Sequence, residues 1–221
     1  MEKRKDGKKM FKLGDLEFDV RSAVLTGAFA DGAMNKRMGY KKVPSFLWHI
    51  EVETSEGKLI FTDEDSGEED YEMIAPNLYH NNGFSLDVRS WKSIDGLTKK
   101  WDASQNEKGE EAGTLYVFGH AEVTSGKIEF IKRMGNIFYM RWSGTANVFW
   151  DAIYGEDVPF TFEGEVTFSG ISAHCDEICC LEELEPAINE FVDLSEYDFV
   201  SEKSHEISTG ISFCWYFSPK S

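Results

Sequence analysis

The sequence lacks the short signatures by which many enzymes are recognised. It has no Gly-x-Ser-x-Gly elbow, no His-Glu-x-x-His pair and no phosphate loop; Gly126-Lys127 stands without the earlier glycine. It also has no Asn-x-Ser/Thr sequon. Uninterrupted apolar runs fall well short of the roughly 18–20 residues that span a bilayer. Cysteine is sparse, with four residues, two of them adjacent. That is not the spacing of a secreted disulfide framework. The opening stretch MEKRKDGKKMFKLGD is basic but has no apolar segment behind it, unlike a secretory signal. A reducing cytoplasm is the expected compartment.

Charge is abundant and unevenly placed. Residues 1–42 carry 11 Lys/Arg against 6 Asp/Glu, and residues 43–221 carry 12 against 34. The net charge of −17 therefore combines a small basic N-terminal excess with a strongly acidic body. Such a body repels nucleic-acid backbones and anionic membranes and attracts basic proteins. Residues 1–10 read as a basic, flexible tail, because Lys- and Gly-rich termini fray. Residues 11–221 read as a single domain.

Period-2 alternation dominates that domain and marks half-buried strands. In VPFTFEGEVTFSG, Phe160, Phe162, Val166 and Phe168 alternate with Thr161, Glu163, Glu165 and Thr167. The same pattern places Phe46, Trp48, Ile50 and Val52 on one face, and Phe138, Met140, Trp142, Ala146 and Val148 on another. Ser125-Gly126, Gly135-Asn136 and Glu56-Gly57 read as breaks between strands. Residues 114–170 then form an antiparallel meander, with further strands at 11–29, 46–62, 84–91 and 208–218. From 175 to 200, Ile178, Leu181, Leu184, Ile188 and Phe191 recur at helical spacing, interrupted by Pro186. The expected fold is mainly β: an antiparallel sandwich or open barrel with one or two helices at about 175–200. HIEVETSEGKLIF (49–61) and HAEVTSGKIEF (120–130) share enough residues in order to raise a weak two-fold repeat.

Three clusters are candidates for chemistry. HCDEICC, residues 174–180, holds three of the cysteines. On a helix Cys175 and Cys179 would share a face, and with Cys214 from a distant strand they could offer thiolates to zinc. The competing reading makes them small buried hydrophobes, with Asp176 and Glu177 in the first turn of a helix. His49 with Glu51, and His120 with Glu122, each project to one face of a strand and could hold a metal or act as acid and base. The acidic stretch TDEDSGEEDYE fails as an EF-hand. Counting from Asp63, position 5 is Gly67 and position 12 is Ile74.

The acidic stretch fits a contact for a basic partner better. Asp63, Glu64, Asp65, Glu68, Glu69 and Asp70 would supply its charge. A second acidic loop, with Trp150, Asp151, Tyr154, Glu156 and Asp157, pairs aromatics with carboxylates as interface anchors do. The expected function is a non-enzymatic acidic protein that docks a basic macromolecule, such as an immunity or inhibitor protein masking a bacterial toxin. It needs no cofactor, nucleic acid or membrane. The alternatives are a carbohydrate- or lipid-binding β module and a hydrolase using carboxylates or the His-x-Glu pairs.

Overall fold

A computed structural model describes residues 9–62, 66–149, 155–208 and 210–220. The chain starts with a hairpin of β1 (Met10–Leu13) and β2 (Leu16–Ala30), turned at Gly14, whose φ is +56°. A short helix α1 (Gly32–Arg37) leads to β3 (Ser45–Thr54), β4 (Gly57–Thr62), β5 (Glu69–Ile74) and β6 (Asn77–Tyr79). After a 3₁₀ turn at Trp91–Ile94 come β7 (Thr98–Trp101), β8 (Thr114–Tyr116), β9 (His120–Met134), β10 (Ile137–Ala146) and β11 (Val158–Cys175). Helix α2 (Leu181–Asn189) and a second 3₁₀ turn (Leu194–Glu196) precede β12 (Tyr197–Ile207) and β13 (Gly210–Pro219).

The fold is mainly β, and its large sheet closes on itself. Strands β1-β2-β3-β6-β8-β9-β10-β11 are neighbours in that order. The long β11 then pairs with β1 antiparallel and with β2 parallel, which shuts the barrel. Beyond Gly170, β11 leaves β10 and takes up β13, with β12 outside it. The alternating apolar residues point inward as their period requires. Trp48, Trp101, Trp142, Phe130, Phe138, Phe160 and Phe162 are fully buried, so the barrel interior is packed with rings. Helix α2 covers one region of the core through Leu184 and Ile188, and Phe191 meets Phe29 edge-on at 5.8 Å. The neighbouring segment is clamped to it: Arg89 donates to the Asn189 carbonyl, and Ser90 Oγ donates to Glu196 at 2.9 Å.

Several local expectations are corrected. The helical segment is shorter than 175–200. Residues 171–175 continue β11, with Ile171, Ala173 and Cys175 inward after the alternation shifts by one residue at Gly170–Ile171, and residues 197–207 are a strand. Gly170 did not end the strand. Its φ of +113° and missing side chain let β13 pass close, because a Cβ there would lie 2.0 Å from the Phe217 carbonyl oxygen. Ser125-Gly126 is not a turn; it lies inside β9, where Gly126 packs under the Ala112 carbonyl. Gly135-Asn136 is a turn, joining β9 to β10. Glu56-Gly57 does separate two strands, but β4 pairs with β5 and not with β3. Residues 84–91 form only a bridge from Phe84 to Trp48 before the 3₁₀ turn. Of the two similar segments, one spans β3 and β4 while the other lies within the single strand β9.

Candidate functional site

The acidic stretch lies on a two-stranded hairpin that stands apart from the barrel sheet. In β4 and β5, Lys58 faces Met73, Ile60 faces Tyr71 and Thr62 faces Glu69 on one side. On the other side Leu59 and Ile74 are buried and hold the hairpin base to the core. Gly57 allows this approach: a Cβ there would meet the Phe18 ring at 2.7 Å. An isolated hairpin is marginal in water, so these anchors keep it folded.

The first face is the unusual one. Ile60, Tyr71 and Met73 are 52%, 55% and 51% exposed, and the register sets them side by side. The Lys58 ammonium lies 3.9 Å from the centre of the Tyr71 ring. Glu68, Glu69 and Asp70 are exposed, with no ion-pair partner among the described residues. Asp70 accepts a hydrogen bond from the Tyr71 amide at 2.7 Å. Asp63, Glu64 and Asp65, which join the two strands, lie outside the described residues.

The second acidic loop is partly described. Trp150, Asp151 and Tyr154 lie outside the described residues. Phe149 and Glu156 are exposed. Asp157 is committed to the loop itself: it accepts from Thr124 Oγ1 at 2.5 Å, and its amide donates to Asn147 Oδ1 at 3.1 Å. Its φ of +52° is uncommon for a side-chain-bearing residue.

The HCDEICC stretch has a clear local role. Asp31 caps α1 by accepting from the Met34 amide at 2.7 Å. Its other carboxylate oxygen accepts from the amides of Asp176, Glu177 and Ile178 at 2.9, 2.8 and 3.3 Å. Arg37 and Lys42 then pair with Asp176 and Glu177, each at 2.6 Å. The Arg37 hydrogen bond holds the Asp176 carboxyl below its ordinary value. The stretch thus latches the α1 segment to the end of β11. Cys175 is the last residue of that strand and faces inward, where burial pushes its thiol up. Cys179 is exposed, and Cys180 precedes α2. Cys175 ends β11 and Cys179 precedes α2, so the expected sharing of one helix face by Cys175 and Cys179 does not arise; Cys214 lies on β13 opposite His174. Among the described residues, no group of three or more His, Cys, Asp or Glu side chains is placed to hold a metal ion.

The two His-x-Glu pairs sit on β3 and β9, which β6 and β8 separate. His49 Nδ1 lies 3.2 Å from the His80 carbonyl oxygen, and burial lowers its pKa. His120 is exposed against Tyr116. Sequence reading missed His80, which is 1% exposed among Phe84, Trp101 and Trp142. Burial, with His49 adding to it, pushes His80 down to about 3. Nearby, burial would raise the Glu110 carboxyl, but hydrogen bonds from Lys99, Ser85 and Asn106 prevail and hold it at about 2. This network ties the loop at 104–113 to Ser85 and β7.

Fold and site together define a closed, ring-filled β-barrel carrying an acidic hairpin with an exposed apolar face. No family model, curated protein or solved structure matches the chain.

Proposed function

We propose that this is a non-enzymatic binding protein that docks a basic macromolecule through the β4–β5 hairpin. The observation that carries the reading is the row Ile60, Tyr71 and Met73, exposed on one face, with exposed Glu68 and Glu69 at its end and Asp70 on the opposite face of the hairpin. Apolar and aromatic side chains supply the desolvated centre of an interface, and the charges around them steer and select the partner. An inhibitor or immunity protein that masks a cationic toxin is the specific form of this reading. The filled barrel interior favours a partner bound on the outside over a carbohydrate or lipid in the lumen.

The test compares wild type with two variants as bait in a native lysate at low salt. A basic protein should be captured and released by high salt. It is then purified and titrated. Neutralising Glu68, Glu69 and Asp70 together should slow association, and Tyr71→Ala should speed dissociation enough to cost about 2 kcal/mol or more, as a central anchor does. If no basic protein is retained, or both variants bind it like wild type, the reading falls.

A further inference from the structure

The outer faces of β11 and β13 bring a thiol and an imidazole together. Cys214 is the register partner of His174, and its Sγ lies 3.8 Å from His174 Nε2. The same nitrogen lies 3.0 Å from Ser172 Oγ, two residues along the strand. Tyr216 follows two residues along β13, and the neighbouring Cys214 thiol raises the pKa of the Tyr216 hydroxyl. Burial lowers the pKa of His174, with His205 and His49 adding to the effect, so its ring is neutral near pH 7 and Nε2 can accept a proton. Lys203, the register partner of Cys214 on β12, lies 5.3 Å from the Tyr216 ring centre.

On the next strand, Ala28 is the register partner of Ser172. Ala28, Thr26, His49 and Tyr79 line an open hollow of ≈330 Å³ on the barrel wall. Cys214 itself is 5% exposed, which admits a small reagent sooner than a bulky one. The other thiols are placed differently. Cys175 points into the core, and Cys179 has its Sγ 4.0 Å from the Glu183 carboxylate.

We propose that Cys214 is an oxidant-reactive thiol, served by His174 as proton acceptor, whose substrate is hydrogen peroxide. His174 Nε2 takes the thiol proton, and the sulfur attacks one peroxide oxygen as the O–O bond breaks. The departing hydroxide takes the proton back from the imidazolium and leaves as water. Sulfur loses two electrons, peroxide gains them, and Cys214 becomes a sulfenic acid. Ser172 Oγ, on the same ring nitrogen, borders the place where that product forms.

Folded full-length protein is treated with hydrogen peroxide and dimedone, and each cysteine is scored by peptide mass spectrometry. Cys214 should be labelled in the wild type, with exposed Cys179 as reference within the same molecule. In His174→Gln, which keeps polarity but loses basicity, the Cys214:Cys179 ratio should fall about a hundred-fold, the low end for a positioned base. Loosened packing would move the ratio the other way, because it would expose Cys214. An unlabelled Cys214 in the wild type overturns the proposal, as does a ratio that His174→Gln leaves unchanged or raises.

Discussion

Two buried polar residues show how single side chains control this fold. Asp31 is 3% exposed, yet its carboxylate receives four backbone amides from two separate segments. Each hydrogen bond to a charged group contributes about 1.5–3 kcal/mol, and removing the acceptor leaves buried donors stranded. Asp31→Ala should therefore lower the urea unfolding free energy by about 3 kcal/mol or more. His80 acts through its charge. Neither of its ring nitrogens reaches a hydrogen-bond partner, so the folded chain holds it neutral. Its folded pKa of about 3 lies below the ordinary 6.5, so between those values the unfolded chain binds more protons. Its contribution is complete above pH 6.5 and declines as pH falls toward 3. At pH 3.5 the loss from this residue is on the order of 4 kcal/mol. His80→Phe should unfold over a narrower acid range. Its stability relative to wild type, from urea melts, should improve steadily between pH 6.5 and 4. A constant difference would show that His80 does not titrate on unfolding.

At the scale of elements, β11 organises the molecule. It borders β10 and β1 at one end and β13 and β2 at the other, and the exchange happens beside Gly170. Gly170→Ala combines a positive φ with a Cβ set 2.0 Å from a backbone oxygen, so β11 and β13 would have to separate. A loss above about 3 kcal/mol in a denaturant melt is expected. The core strands were legible in the sequence because each puts one face in the barrel and one in water, which writes a period of two. Other elements left weaker traces. β12, with Asp198, Glu202, Lys203, His205 and Glu206, is exposed along most of its length and has no apolar face to alternate. The last residues of β11 left little trace because Ala173 and Cys175 are small and the helical stripe from Ile178 follows closely. Part of the proposed docking site was also legible. The acids of 68–70 stood out, but Ile60, Tyr71 and Met73 become neighbours only through the hairpin register, which the sequence does not display.

For the molecule as a whole, the charge and the architecture divide the work. The rings packed inside the barrel hold it together, and the hairpin outside it carries exposed acidic and apolar side chains. The barrel closes where β11, residues 158–175, meets β1 and β2, residues 10–30. On a ribosome, β1 and β2 are made well before β11, the strand that closes the barrel on them. Until then the edge of β2 from Val24 to Ala30 lacks its β11 partner, and a chain in which distant segments must find each other folds slowly. The interval between making the first hairpin and closing the wall is thus when a newly made chain is most open to joining another, and its own negative charge is what keeps such chains apart in the meantime.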